Sequence, residues 1–350
     1  MTVIRCVTMQ KNEATLLEPW IRWHAAIFGL SNLTVIDNGS TDPVVLDIQN
    51  RYEAQGLTVI REFPEREHFL HKGDVITRII RRWDAGRACD FAVPLDCDEF
   101  MAVFLDQLSV DPAIILAEFE RLKHEKATLL TDRLLLNVPS APNYYGPQIV
   151  RRCLFRAGTI RSLDRGFHDP QTIHRQRYIQ TAFVHIHLHN RPDYEDIRRF
   201  ARQKLDPSGT GPRPVHAQDG AHLRYYFHAS AKEFLNSYRH TPDLYAPVIA
   251  ERFQELGLAV EPLLGTGPVP EPALNLAARF AAHRFLDTPA RHEYVAFDPV
   301  FYAQANPDVM ADPHYGIWPL IHFMEAGWQE GRAPNPANFP PLVLQTPPEG

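Results

Sequence analysis

The run Phe91 to Phe100, FAVPLDCDEF, carries the densest chemistry of the chain. An apolar, strand-like stretch delivers Asp96 and Asp98, and Glu99 follows at once. In an extended chain the side chains i and i+2 point to the same face. The spacing therefore predicts two carboxylates aimed at one point where a buried strand ends. Oxygen ligands paired in this way suit Mg²⁺ or Mn²⁺, which commonly take a few carboxylates and complete their shell with substrate phosphates. Taken alone, an Asp-x-Asp also fits an acidic strand exit that merely solvates a surface. A second run, Phe183-Val184-His185-Ile186-His187-Leu188-His189, alternates without a break and predicts three imidazoles on one strand face. Neutral imidazole ligates transition metals, so each of these histidines is a candidate ligand.

The elements that must position these groups follow from the apolar pattern. Residues 2–9 read as a first strand that stops at the polar cluster Gln10-Lys11-Asn12-Glu13. Leu16, Leu17, Trp20, Ile21, Trp23, His24 and Ile27 recur at intervals of three and four, which predicts a helix closed by Gly29. A second strand over 33–36 runs into the turn-rich 37–43, a helix covers 44–55, and a third strand covers 57–60. Residues 73–83 read as helix, and the fourth strand ends at Asp96. Strands alternating with helices predict an α/β fold with a mostly parallel sheet flanked by helices. In such sheets ligands sit beyond the carboxyl ends of the strands. The clusters at 10–13, 37–42 and 96–99 all fall there, and their agreement favours a site over a chance acidic turn.

Beyond residue 128 the reading changes to short strands at 128–130 and 134–136, a loop at 139–147, and histidine-bearing strands over 151–190. Helices are expected at 193–205 and 230–255, divided by a Pro/Gly loop at 206–214. The chain of 350 residues carries a net charge of −6, which argues against non-specific nucleic-acid binding. No apolar run is long enough to span a membrane, and the N-terminus lacks a signal-peptide layout, so a cytoplasmic location is expected. Cys6, Cys89, Cys97 and Cys153 lack metal-ligand spacing and fit a reducing compartment.

The segment TMQKNEATLLEPWIRWHAAIFGLSNLTVIDNGSTD resembles the opening of family-2-like glycosyltransferases with the GT-A (Rossmann-like) fold, closest to a bacterial branch marked by Lys-Asn-Glu. The Asp-x-Asp-Glu-Phe strand end and the downstream HLHNRPDYEDIRRFARQKL fit the same branch, over roughly residues 2–205. Cys97 departs from the aliphatic residue usual between the aspartates but leaves both carboxylates in place. The resemblance implies a metal-dependent transfer, inverting in stereochemistry, from a nucleotide-diphosphate sugar, with UDP favoured, to a glycan or other hydroxyl acceptor. It implies that Thr8, Lys11, Asn12 and Glu13 border the nucleotide, that Asp37 and Asn38 contact base or ribose, and that Lys72 lies near the pyrophosphate. Asp96 would face ribose and metal, and Asp98 would bind the ion, Mn²⁺ or Mg²⁺. A later histidine completes the shell, with His187 or His189 matching that place best and His168 next. An inverting transfer needs a general base, for which Asp164, Asp169 and Glu99 are candidates. Asp169 is favoured because it adjoins His168.

The expected organisation is a catalytic domain over 1–260, a proline-rich linker over 261–290 and a small helical module over 291–350. Residues 297–339 resemble a short module found attached to bacterial glycan-processing proteins, with Tyr302, Val309, Leu320, His322, Phe323 and Trp328 forming a shared apolar face and no chemistry of its own. Partners beyond donor and acceptor would be cell-envelope glycan machinery met peripherally. Competing readings are a HAD-type phosphohydrolase, a metallohydrolase built on His185, His187 and His189, and a non-catalytic carbohydrate-binding protein. The first leaves residues 10–13 without a role, the second leaves Asp37 and Asp96 unexplained, and the third has little need of Asp98.

Overall fold

The computed structural model describes residues 2–205 apart from 106–107, 138–141, 149 and 176, together with Tyr226, 244–265, 284–288, 293–297, 299–312, 315, 322–327 and 329–334. The N-terminal half runs β1 (Ile4–Gln10), α1 (Leu17–Phe28), β2 (Leu33–Asp37), α2 (Pro43–Glu53), β3 (Thr58–Ile60), α3 (Arg66–Leu70), α4 (Lys72–Ala85) and β4 (Phe91–Pro94). Local chemistry sets these boundaries. Gly29, at φ 84°, closes α1 with its N–H on the Ala25 carbonyl. Asp42 caps α2 by accepting from Val44 N, with Pro43 pre-set for the first turn.

β1 pairs in parallel with both β2 and β4, and β2 with β3, giving the spatial order β3-β2-β1-β4. The order reverses direction at β1, which opens a crevice between the ends of β1 and β4. The parallel sheet read from the sequence is thus present, but it is one part of a larger arrangement. The chain continues through β5 (Glu99–Phe104), β6 (Leu108–Ser109), α5 (Pro112–Leu122), β7 (Thr128–Leu130), β8 (Leu134–Asn137), β9 (Tyr144–Gln148) and β10 (Cys153–Arg156). Then come β11 (Ile160–Ser162), β12 (Gln171–Thr172), β13 (Tyr178–Gln180), β14 (Phe183–His187), α6 (Tyr194–Leu205), β15 (Leu244–Tyr245) and α7 (Val248–Glu255). β10 adds antiparallel to β4 and carries β7 and β13, completing seven strands. A second, six-stranded sheet in the order β15-β9-β8-β14-β5-β6 was not foreseen. In it β14 lies antiparallel to β5 and parallel to β8, with His187 opposite Glu99.

Two apolar clusters hold the layers. Trp20, Trp23 and Phe28 of α1 meet Phe91, Phe100, Phe119 and Phe253 of β4, β5, α5 and α7. Trp23 packs edge-on to Phe100, and its ring N–H donates to the Met101 carbonyl at 2.9 Å. Truncating such a residue to alanine typically costs about 3–5 kcal/mol, so Trp23→Ala would break this layer first. On the other side α4 buries Val75, Ile76, Ile79, Ile80 and Trp83 against Val7, Met9, Ile36 and Phe155. α4 can seat only because of Gly73, where a Cβ would stand 2.1 Å from the Leu163 carbonyl oxygen.

Of the helix expected at 230–255, α7 accounts for 248–255, Leu244–Tyr245 is the strand β15 instead, and 230–243 lie outside the described residues, as do 206–214 and most of 262–273. Arg284–Thr288 pairs antiparallel with Glu293–Phe297, a hairpin that straddles position 290. In the tail, helices span Pro299–Ala305 and Pro307–Ala311, and Tyr302, Val309, His322 and Phe323 are buried. Leu320 and Trp328 lie outside the described residues. Among the described residues no helix is long and apolar enough to cross a membrane.

Candidate active site

β4 ends at Pro94, two residues earlier than the sequence reading placed it. Leu95 still donates to the Val7 carbonyl, and then the chain turns sharply, with Glu99 N returning to the Asp96 carbonyl at 3.1 Å. Asp96 and Asp98 therefore sit in a turn between the two sheets and not along one strand. The expectation that alternation points both carboxylates at one spot is corrected: the turn splays them apart.

Asp98 faces the histidine strand. Its Oδ2 lies 3.3 Å from His187 Nε2 and 3.9 Å from His189 Nδ1, and its carbonyl accepts from Leu188 N. The candidate ligand atoms of Asp98, His187 and His189 all lie within 4.8 Å of one another. None is sealed: their side chains are 14%, 17% and 14% exposed. Burial alone would raise the Asp98 pKa, but the charges and hydrogen bonds of His187 and His189 outweigh it and hold the carboxyl well below the usual range. Burial likewise opposes the charged form of His187, yet Asp98 pushes its pKa up. β14 ends at His187, and His189 continues the same side of the chain beyond it, where Tyr226 OH reaches its Nε2 at 3.2 Å.

Asp96 turns to permanent cations instead. Lys72, the first residue of α4, is buried and hydrogen-bonds Asp96 Oδ1, with its ammonium 4.4 Å from the centre of the Phe167 ring. Arg152 Nη2 lies 3.9 Å from Asp96 Oδ2. Arg152 was not read from the sequence, yet it is the hub of the site. It donates to Glu99 Oε1 through Nε at 2.8 Å and sits 2.9 Å from His168 Nε2. Glu99 uses its other oxygen to accept the Asp96 N–H at 3.2 Å and faces His185 at 3.5 Å. Burial opposes charge on Glu99, but Arg152 and then His185 hold its carboxyl well below the usual range. Glu99 is fully buried, which leaves it no surface from which to take a proton from an acceptor. His185 is equally buried, and desolvation pushes its pKa down.

The polar ends of β1 and β2 form a third group. Asp37 accepts from Gln10 Nε2 at 2.9 Å and from Ser40 N. Asn12, at φ 56°, uses its Oδ1 to accept from Thr41 N and Asp42 N, which shapes the β2–α2 loop. Asn38 donates to the Phe63 and Glu65 carbonyls and ties down the segment after β3. Gly39 is needed there, since a Cβ would meet the Pro64 carbonyl oxygen at 2.8 Å. Lys11 is half-buried after β1. Thr8, expected at the nucleotide, is fully buried inside β1 opposite Val35. Glu13 is ion-paired with Arg191, a second cation the sequence reading did not single out. Arg191 is placed by a reciprocal amide clasp in which Asn190 N donates to Asn137 Oδ1 and Asn190 Nδ2 to the Asn137 carbonyl.

The base candidates lie on the 163–169 loop. Asp164 accepts from Gly166 N and Asp169 N, which commits it to loop shape. Asp169 is exposed and accepts only from Gln171 Nε2 at 3.0 Å among the bonds described. Burial and then the adjoining Arg152 charge push the His168 pKa down.

No family model and no curated protein matches this chain. Among solved structures it is similar to S. aureus TarS 1–349 in complex with UDP, at 13% identity over 67% of this chain and 71% of that one, with a TM-score of 0.32. The longer S. aureus TarS structure gives 13% identity, 67% and 43% coverage and a TM-score of 0.30. A Mycobacterium tuberculosis glucosyl-3-phosphoglycerate synthase bound to Mn²⁺, UDP-glucose and phosphoglyceric acid gives 21% identity, 39% and 44% coverage and a TM-score of 0.24. The match thus spans less than half the length of the longer TarS and of the synthase. With TM-scores this low, the reading of the site rests on its own geometry.

Proposed function

We propose that the chain is a metal-dependent glycosyltransferase of GT-A type that moves a sugar from a nucleotide-diphosphate donor, UDP-linked by preference, to a hydroxyl of a glycan or similar acceptor. The observation that carries this reading is the position of the Asp98–His187–His189 group beside the Lys72–Asp96–Arg152 group, at the carboxyl ends of a parallel sheet whose order reverses at β1.

Two imidazoles and one carboxylate fit a first-row divalent ion such as Mn²⁺ better than Mg²⁺, which favours oxygen throughout. Asp98, His187 and His189 would hold it, and Asp96 would serve ribose and phosphate-facing cations. When bound, such an ion neutralises charge on a leaving diphosphate. Lys72 and Arg152 add fixed positive charge next to it, where charge develops as the bond breaks. Asp37 accepts hydrogen bonds from base or ribose, within a loop shaped by Asn12 and Asn38; Lys11 contributes a cation at its edge, while Thr8 and Glu13 support the crevice from within. In the transfer, the acceptor hydroxyl oxygen forms the new bond to the anomeric carbon and gives its proton to a carboxylate, for which Asp169 is the exposed candidate. The bond from the anomeric carbon to the phosphate oxygen breaks, and the nucleoside diphosphate leaves with the electron pair. Attack opposite the leaving group inverts the centre. Glu99 acts as a positioning residue that fixes the Asp96 backbone.

Calorimetric titration of UDP with and without Mn²⁺ tests the reading. Binding that needs the ion supports it; hydrolysis of a generic aryl phosphate without UDP binding would point to the phosphohydrolase class instead.

A further inference from the structure

The outer surface of the α4 layer carries a charge opposite to that of the chain. α4 and residues 151–180 together hold eleven lysines and arginines against four aspartates, a charge of +7 in a protein of net −6. The rest of the molecule therefore bears −13. Most of these cations face outward. Arg78, Arg81, Arg82 and Arg161 are exposed, and none of the four has a carboxylate within 4.0 Å among the described residues. Arg78 rests over the Phe63 ring at 5.5 Å, and Arg81 donates to the Arg161 carbonyl, which ties the helix to β11.

β11 to β13 extend the basic side of α4. β11 pairs with β12, where inward Ile160 and Thr172 lie opposite each other and leave Arg161 and Ile173 pointing out. Thr172 meets the Thr128 hydroxyl of β7, and Thr128 pairs with Tyr178 of β13. Exposed Arg175 and Arg177 lie between them. Ile173 and Tyr178 are 49% and 48% exposed, two apolar side chains set among unpaired guanidinium groups.

We propose that this face docks the protein on an anionic phospholipid surface. Guanidinium groups pair with phosphate in a bidentate way, and exposed Ile173 and Tyr178 set among arginines suit a headgroup layer better than a single polyanion strand. Basic residues beside an anionic leaflet each contribute roughly a fivefold gain in partitioning, lost as salt screens them. The inference does not depend on the identity of the donor or acceptor.

Co-sedimentation of the full chain with vesicles decides it. Vesicles of mixed phosphatidylglycerol and phosphatidylcholine should bind the protein at low salt, and pure phosphatidylcholine vesicles should not. The triple change Arg78→Gln, Arg82→Gln, Arg161→Gln should weaken partitioning by roughly a hundredfold. The matching triple change to Lys should keep most of it, and thermal melting of both variants shows that they fold. Equal binding to neutral vesicles, no loss in the Gln variant, or binding to inorganic polyphosphate with none to mixed vesicles would overturn the proposal.

Discussion

Asp96 and Asp98 stand two residues apart in one turn and keep opposite company. Asp96 is met by Lys72 and Arg152, cations that offer hydrogen-bond donors but no ligand atom. Asp98 is met by His187 and His189, whose ring nitrogens are ligands when neutral. The same side chain is thus neutralised on one side of the turn and left available to an ion on the other. Identity at a motif position says little until the residues brought from a hundred positions away are known.

The largest test of this contrast lies beneath it. Arg152 is the buried counter-charge of Glu99, and removing one member of a buried pair typically costs about 3–5 kcal/mol. Arg152→Met should lose stability of that order in chemical denaturation, and an unchanged midpoint would mean that the hub does not organise the turn.

Next, Asp98→Asn should weaken Mn²⁺ binding by roughly a hundredfold, since even partners outside the ligand shell cost 10–100-fold. Asp96→Asn should change Mn²⁺ binding little and UDP binding more. Titrating both variants with the metal alone separates the two halves, and equal losses would erase the distinction.

Smaller effects should follow at Asp37, where losing a charge-assisted bond weakens UDP binding by roughly 1.5–3 kcal/mol in Asp37→Ala. An unchanged dissociation constant in calorimetry would move the nucleotide elsewhere.

A further effect, spread over several pH units, is on the slope of stability with pH. His24 is fully buried; desolvation lowers its pKa to about 3, with Nδ1 on the Trp20 carbonyl and Nε2 accepting Met101 N–H. Below the ordinary histidine pKa the unfolded chain binds a proton that the folded chain refuses. Stability from this residue is therefore complete above about pH 6.5 and lost on acidification towards 3, at about 1.4 kcal/mol per pH unit. Replacing His24 by Gln should flatten the fall between those limits by that slope, measured by denaturation at stepped pH.

Much of the frame was legible in the sequence. Intervals of three and four marked α1, residues 73–83 read as helix where α4 lies, and the polar clusters at 10–13, 37–42 and 96–99 do lie at strand ends. The strand end at Asp96 was misread because Leu95 prolongs the apolar run, while the tight turn to β5 obeys the backbone. Arg152 and Arg191 were invisible for another reason. They meet Glu99 and Glu13 across 53 and 178 residues, and no local pattern encodes such a pairing. The second sheet escaped notice because its strands are short and its partners distant, so pairing and not propensity defines it.

The alternation along β14 has a consequence for folding fidelity. His185, His187 and His189 take one side of the strand, and Val184, Ile186 and Leu188, all buried, take the other. A slip of one residue against β5 and β8 would drive three imidazoles into the apolar layer and strand three aliphatic side chains among carboxylates. Both errors raise the energy at once. The residues that would serve chemistry therefore also proofread the register of the strand, so a molecule that has folded at all has its candidate ligands in line.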